Sequence, residues 1–234
     1  MFKLANNYYN GIGTEKNFKK SFYWYQKAAE KDHITAMFKL ANNYYFGVGT
    51  EKNFEKSFYW YQKAAEKDHI TAMFKLANNY YFGVGTEKNF EKSFYWYQKA
   101  AEKDHITAMF KLANNYYNGI RTEKNFKKSF YWYQKAAEKE HITAMFKLAN
   151  NYYFGVGTEK NFEKSFYWYQ KAAEKDHITA MFKLANNYYL VVGTEKNFEK
   201  SFYWYQKAAE KDHITAMFKL TNNYYFGSRN RKEF

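Results

Sequence analysis

The chain has 234 residues, a formal net charge of +14, no cysteine and 24% aromatic residues, with a mean hydropathy of −0.83. No apolar run approaches the roughly 18 residues of a membrane span, and the first residues lack the basic-then-apolar layout of a secretory signal, so the sequence predicts a soluble chain. The absence of cysteine excludes disulfides and thiolate metal centres and favours a reducing compartment, which points to the cytoplasm.

One segment recurs almost unchanged along the chain. The seven methionines are spaced 36 residues apart, at Met1, Met37, Met73, Met109, Met145, Met181 and Met217. They define the repeats 1–36, 37–72, 73–108, 109–144, 145–180 and 181–216 and a partial repeat, 217–234. A period of this size predicts a solenoid, in which each repeat packs only on its neighbours, so we expect one repeat domain over residues 1–234.

The first half of each repeat predicts a helix, which we call helix A. It runs from Thr35 into the second repeat, as far as Tyr45, because apolar residues recur at the spacing of one helix face. These residues are Met37, Leu40, Ala41 and Tyr44. Gly47 is placed to end the helix in a left-handed conformation, which costs glycine little.

The second half of each repeat predicts a second helix, helix B, from Phe54 to about Lys67. Asn53 is expected to cap its first turn by accepting a hydrogen bond from a backbone amide. The apolar spacing is repeated by Phe54, Ser57, Phe58, Tyr61, Ala64 and Ala65. Two antiparallel helices joined by short loops predict an all-α fold, a right-handed α/α solenoid of 36-residue helix-turn-helix repeats.

The pattern of these residues resembles the Sel1-like repeat family over essentially the whole chain. The resemblance rests on the 36-residue period and on Leu40, Tyr44, Gly47, Gly49, Asn53, Lys56 and the run Trp60-Tyr61-Gln62-Lys63-Ala64-Ala65-Glu66. It implies a fold related to tetratricopeptide repeats and the role of a scaffold or adaptor that binds a protein or peptide partner.

Two repeats depart from this pattern in their loops. Arg121 replaces the second loop glycine of repeat four, and Leu190 and Val191 replace the Phe-Gly pair in repeat six. Glu140 replaces the Asp68-type residue in the turn after helix B. Because a left-handed backbone costs a residue with a Cβ about 1–2 kcal/mol, we expect the loops of repeats four and six to be rebuilt or loose.

The positive charge is concentrated rather than spread along the chain. Repeat 37–72 has five lysines against four acidic residues, and the excess lies mainly in repeats 1–36 and 109–144 and in the tail from Met217. The two basic repeats share the segments NNYYNGI and NFKKS, which indicates that a block of 108 residues has been duplicated. A continuous basic stripe, typical of a nucleic-acid surface, is not indicated.

The residue types that carry catalysis or bind metals do not form a site in this sequence. Successive repeat histidines are expected about 10 Å apart, too far to share a zinc ion at bonds of about 2 Å, so we interpret them as structural turn residues. Ser57 lies on the apolar side of helix B, away from Asp68 and His69 in the following turn, so the geometry of a catalytic triad is not indicated. We expect no enzymatic activity, no catalytic or metal-binding residues and no cofactor.

The other face of helix A predicts a binding surface, since helix A lines the concave groove in related helical-hairpin solenoids. Asparagine amides offer donors and an acceptor to an extended peptide, aromatic rings anchor apolar side chains, and lysine favours an acidic group or a C-terminal carboxylate. The predicted peptide-binding residues in repeats two to five are Phe38, Lys39, Asn42, Tyr45, Phe74, Lys75, Asn78, Tyr81, Phe110, Lys111, Asn114, Tyr117, Phe146, Lys147, Asn150 and Tyr153.

Two other interpretations of this face stay open. The rings could simply cover the seams between helices, or the basic and aromatic surface could bind single-stranded nucleic acid, where each stacked base contributes about 1–3 kcal/mol. A steep loss of binding with added salt would indicate phosphate contacts, and a flat response would indicate a peptide.

The ends of the chain lack the polar capping repeats that usually protect a solenoid. Met1 begins within a helix A, and the chain stops after another helix A with the charged tail GSRNRKEF. We expect either that the chain is part of a longer array or that the face of its first repeat self-associates.

Overall fold

The computed structural model describes residues 1 to 221, and all regular secondary structure in this range is helical. The helices are α1 (Phe2–Asn10), α2 (Phe18–Ala29), α3 (Ile34–Phe46), α4 (Phe54–Glu66), α5 (Ile70–Phe82), α6 (Phe90–Glu102), α7 (Ile106–Asn118), α8 (Phe126–Glu138), α9 (Ile142–Phe154), α10 (Phe162–Glu174), α11 (Ile178–Leu190) and α12 (Phe198–Ala209). A further helical stretch covers residues 214–221. Most of the partial repeat predicted over 217–234, with its charged tail, lies outside the described residues.

The chain divides into two compact units. The first unit comprises Met1–Asn115 and Gly119–Glu123, and in it the helices from α1 to α6 pack in sequential order, each against its neighbours within that range. The second unit comprises Tyr116–Asn118 and the chain from Lys124 onward, and α8 to α12 pack in the same sequential order. Packing between sequence neighbours is the arrangement of a solenoid. The predicted fold class, an all-α solenoid of 36-residue helix pairs, is confirmed, and the single domain over 1–234 stays a prediction.

The helix limits in repeat two follow the predicted apolar pattern. Helix A is α3, which begins and ends within one residue of the predicted limits, and helix B is α4. The predicted inward stripe forms the core, since Leu40 and Ala41 of helix A are 0% exposed and Tyr61 of helix B is 1% exposed. Burial of these side chains on a shared seam is what the helix periodicity requires.

The end of helix A and the start of helix B are closed as predicted. The Asn53 side-chain oxygen accepts a hydrogen bond from the backbone N–H of Lys56 at 2.8 Å, at the start of helix B. Gly47 ends helix A in the left-handed conformation, with φ 73° and ψ 37°. Local sequence therefore determines where each helix begins and ends.

The turn after helix B also adopts left-handed backbone, at residues other than glycine. Asp68 has φ 66° and Glu140 has φ 65°. Their carboxylates pair with lysines one repeat further on, at 3.2 Å from Lys103 Nζ and 3.3 Å from Lys175 Nζ. These pairs are solvent-exposed and therefore contribute little to stability.

The predicted rebuilding of the loops in repeats four and six is wrong. Val191 ends α11 with φ 62° and ψ 44°, close to the values of Gly47, and Arg121 has φ 55°. The Val192 amide donates to the Asn187 carbonyl at 3.0 Å, the distance of the equivalent bond from Val48 to Asn43. The loop keeps its hydrogen bonds because losing them would leave helix-end carbonyls without partners, so the backbone retains the strain instead.

Replacing Val191 by glycine is expected to raise the free energy of unfolding by about 1 kcal/mol. The relief of left-handed strain gains about 1–2 kcal/mol, and the greater freedom of glycine in the unfolded chain removes about 0.4–1 kcal/mol of it. Urea denaturation followed by circular dichroism measures the change. The matched control is Val192→Gly, because Val192 is absent from the positive-φ residues and should lose stability. A Val191→Gly variant with a lower free energy of unfolding than the parent would contradict the claim that Val191 is strained.

Candidate functional site

The aromatic start of the predicted binding face is engaged in packing within its own repeat. Phe38 stacks on His69 of the next turn, with ring centroids 4.5 Å apart, and lies 5.9 Å from the ring of Tyr61. Phe74 and Phe146 make the same stacks on His105 and His177, at 4.5 and 4.6 Å, and Phe110 is also half-buried. At these positions the main contacts are with helix B and with the turn that follows it.

The asparagine column is held by buried tyrosines of helix B. The Tyr61 hydroxyl donates to the Asn42 side-chain oxygen at 2.5 Å, and Tyr97 and Tyr169 donate to Asn78 and Asn150 at 2.6 Å. The tyrosines are buried, and burial raises the pKa of Tyr61 well above its usual range. The acceptor oxygen predicted to bind a peptide backbone is therefore already engaged, and what these amides can offer a ligand is the donor group Nδ2.

The lysines and the last tyrosine of the face are more accessible. Lys39 is exposed, and Lys75, Lys111 and Lys147 are partly exposed. Tyr45 lies at the C-terminal end of helix A, edge-on to Phe54 at 5.3 Å and to Phe46 at 4.9 Å. Three further predicted residues have the corresponding places: Tyr81 beside Phe90, Tyr117 beside Phe126 and Tyr153 beside Phe162. Asn114 lies half-buried on α7.

A cavity in the first unit combines the accessible groups of three successive repeats. It has a volume of about 480 Å³. Its apolar lining is formed by Tyr45, Phe46, Tyr61, Phe74, Phe82 and Val84, and its polar lining by Lys75, Asn78, Asn79 and Lys111. The cavity thus brings the end of one helix A beside the middle of the next, and every charged residue in its lining is a lysine.

The second unit contains a cavity of the same design, with a volume of about 270 Å³. Its lining residues are Tyr153, Phe154, Tyr169, Lys183, Asn186, Asn187, Leu190 and Val192. Lysine is again the charged residue, and aromatic and aliphatic side chains again form the walls. Both cavities are suited to an apolar group that carries a negative charge nearby.

Sequence reasoning did not single out several of the cavity residues. Phe46 and Phe82 are 58% and 59% exposed, although both are large and apolar, and they lie one position beyond the predicted column. A signal was present, because this position changes from phenylalanine to asparagine at Asn10 and Asn118 while the helix around it is unchanged. Asn79 is nearly buried and its Nδ2 has no hydrogen-bond partner in the described residues, but Asn43 and Asn151 repeat this, so it is a property of the repeat.

A third cavity, of about 630 Å³, lies beside helix B in the second unit and has mixed charge. Lys211 Nζ lies 3.1 Å from Asp176, and Lys207 Nζ lies 3.5 Å from Glu210. Because lysines and acids of its lining pair with each other, this cavity shows no charge preference for a ligand.

The histidines are structural, as predicted, and the structure adds that they cap the helices that follow them. In all six complete repeats the histidine Nδ1 accepts a hydrogen bond from a backbone N–H at the start of the next helix A, for example from Ala72 to His69 at 3.2 Å. An acceptor nitrogen must be deprotonated. In residues 1–221, no cluster of three or more metal-ligating side chains is found, and no helix is long and apolar enough to cross a membrane.

Stability is therefore expected to fall as the pH is lowered from 7.5 to 5.5. Burial lowers the pKa of His69, His105 and His177 below the ordinary value of 6.5. Because the pKa is lowered in the folded state, the neutral histidine caps contribute fully to the free energy of unfolding above pH 6.5. This contribution is lost as the pH falls through the folded-state pKa values. Urea midpoints at several pH values measure the slope, and most carboxylates stay ionised over this range.

The control for this pH dependence replaces His69, His105 and His177 by asparagine. Asparagine caps a helix without titrating, so the slope of stability against pH should flatten, whatever the absolute stability of the variant. An unchanged slope would contradict the role of these caps.

The repeat profile of one protein family matches all six complete repeats of the chain. Sel1 repeats are found at residues 1–33, 34–69, 70–105, 106–141, 142–177 and 178–213. Comparison with curated protein sequences finds no match.

Solved structures with the same fold support this assignment. The chain is similar to a protective antigen of uropathogenic Escherichia coli strains that displays an SLR fold, with 28% identity over 95% of this chain and a TM-score of 0.92. It spans 48% of the antigen's length. It is also similar to a Sel1 repeat protein from Oxalobacter formigenes, with 35% identity, a TM-score of 0.73 and coverage of 88% of this chain and 83% of that protein. The chain therefore belongs to the Sel1 repeat family.

Proposed function

We propose that this protein is a non-catalytic scaffold that binds an acidic, partly hydrophobic peptide segment of a protein partner through the helix A face of each unit. Sel1 repeat proteins are in general protein-interaction scaffolds. The observation that carries the finer proposal is the cavity of the first unit, where Lys75 and Lys111 lie beside aromatic walls.

The chemistry of this face supports a peptide better than the other ligand classes considered. An apolar wall accepts a hydrophobic side chain. The Nδ2 group of Asn78 can donate a hydrogen bond to a peptide carbonyl. The lysines add attraction for a carboxylate, which acts mainly on selectivity and on the rate of encounter. A fully acidic polymer such as nucleic acid would gain from the lysines but would leave the walls to base stacking alone.

The test uses a fluorescein-labelled peptide of alternating leucine and glutamate with a free C-terminus. Charge reversal of the four helix A lysines (Lys39→Glu, Lys75→Glu, Lys111→Glu and Lys147→Glu) is expected to weaken binding about tenfold or more, which corresponds to about 1.4 kcal/mol. The matched control reverses the exposed helix B lysines (Lys63→Glu, Lys99→Glu, Lys135→Glu and Lys171→Glu), which changes the net charge by the same amount. That control should change binding less than about twofold.

Two outcomes would contradict the proposal. Equal losses in the two sets of variants would show that net charge, and not the helix A face, attracts the peptide. Binding of an oligo-dT strand that exceeds peptide binding, and that falls steeply with salt, would favour the nucleic-acid alternative.

A further inference from the structure

We propose that the chain carries two separate sites of one kind, one in each unit, and that each takes a peptide segment in which an apolar side chain adjoins a carboxylate. The two cavities described above are these sites. The inference rests on the proposed function, which it deepens by giving the number and the place of the sites and the kind of side chain that each prefers.

The two cavities lie at equivalent positions of the duplicated three-repeat block. Every one of the eight lining residues of the second cavity lies 108 residues after a lining residue of the first. This spacing is the period of the duplicated three-repeat block and not simply that of the single repeat. Seven of the eight pairs are identical residues, and the exception is Phe82, which corresponds to Leu190.

The residue that ends helix A differs between the repeats of each block. A cavity between two repeats is flanked on both sides by the residue that ends helix A. These two residues are Phe46 and Phe82 in the first unit and Phe154 and Leu190 in the second. The first repeat of each block ends its helix A with asparagine instead, which interrupts the apolar wall.

The walls of both cavities combine exposed apolar side chains with lysines. The flanking side chains are about 60% exposed: Phe46 58%, Phe82 59%, Phe154 58% and Leu190 61%. Large apolar side chains this exposed at the mouth of a cavity mark a surface for apolar contact. Because lysine is the charged residue of both linings, the complementary occupant carries its negative charge next to the apolar group.

The two sites differ in one flanking residue. The first has about 480 Å³ and two phenylalanine flanks, whereas the second has about 270 Å³ and a leucine on one side. Because an aromatic ring gains from contact with a second phenylalanine ring, the first site should prefer an aromatic side chain and the second an aliphatic one. A partner that offers both, or two partner molecules, would engage both units of one chain.

The test is nuclear magnetic resonance titration of the intact chain with two small carboxylates, 3-phenylpropionate and 4-methylpentanoate. We expect saturable shifts of the Val84 and Val192 amides, with 3-phenylpropionate at least threefold tighter at Val84 and 4-methylpentanoate at least as tight at Val192. The cation 2-phenylethylamine should shift neither amide. Shifts at one site alone, or equal shifts with the cation, would overturn the proposal.

The two sites are separated by substitutions that the chain itself uses at this position. Phe82→Asn should weaken binding at Val84 at least fivefold and leave Val192 unchanged, and Leu190→Asn should do the reverse. Loss at both sites from either substitution, or at neither, would overturn the assignment. If binding of the labelled peptide depends on the helix A lysines but neither amide responds to the carboxylates, the proposed function stands and the two-site inference fails. If both amides respond to the carboxylates but peptide binding does not depend on the lysines, the two sites stand and the proposed function fails.

Discussion

Replacing Gly85 by alanine is expected to lower the free energy of unfolding by about 2–5 kcal/mol. Gly85 has φ +69°, and a Cβ at this position would overlap the backbone carbonyl of Phe54, at the start of helix B in the preceding repeat. The left-handed backbone costs alanine about 1–2 kcal/mol, and forcing apart a packed contact costs about 1–3 kcal/mol more. Gly85 is thus the point where its repeat docks on the one before; Arg121, at the equivalent place in repeat four, has φ 55° instead of 69°.

Gly13 provides the matched control for this prediction. It has φ +68° and occupies the same place in the first repeat, but a Cβ there would meet no atom within 4 Å. Gly13→Ala should therefore cost about 1–2 kcal/mol, for the backbone alone. Unfolding in urea, followed both by circular dichroism and by tryptophan fluorescence, measures both variants, since an array of repeats need not unfold in one step. Equal losses would contradict the docking role of Gly85.

Replacing Asn78 by alanine is expected to cost about 1–3 kcal/mol, the second largest effect. The change removes the acceptor of the Tyr97 hydroxyl, and a buried hydroxyl without a partner costs about its full desolvation penalty. Tyr97→Phe should cost less, because the partly exposed Asn78 can turn to water. In the double variant both partners are absent, so its loss should fall short of the sum by about 1 kcal/mol.

The same bond guides the choice of variants in binding experiments. Alanine at the asparagine column would weaken the fold and any ligand contact together, so a loss of binding would have two causes. Asn78→Asp keeps an acceptor for Tyr97 but removes the donor group and adds a negative charge. It should therefore leave the free energy of unfolding within about 0.5 kcal/mol of the parent and still weaken binding of the leucine-glutamate peptide. A variant that binds normally would contradict a role for the Asn78 amide in binding.

The strained loops show how far local sequence rules extend. Val191 and Arg121 were expected to change the loop because the left-handed region excludes most residues with a Cβ. The loops keep the glycine conformation because they are bonded at the helix end and docked on a neighbouring repeat, and these contacts outweigh about 1–2 kcal/mol of strain. Propensity at one residue is a weaker constraint than the packing of the whole repeat.

The sequence by itself determined the family, the period, the helix limits and the caps. These depend on local features, namely apolar spacing within one helix, Asn53 before it and Gly47 after it, so a single repeat contains all the information required. The structural role of the histidines also followed from sequence, because the spacing alone excludes a shared metal ion.

Only the tertiary structure decided which residues of the predicted face are available. Phe38 packs on His69 and Asn42 binds Tyr61, so much of the predicted column holds helix A to helix B within its own repeat. The cavity instead joins Tyr45 to Lys75, residues of two successive helices A. Near-identical repeats have the same local preferences, so the sequence of one repeat cannot show which of its side chains face the next repeat. The stacking of the helices decides which side chains do so.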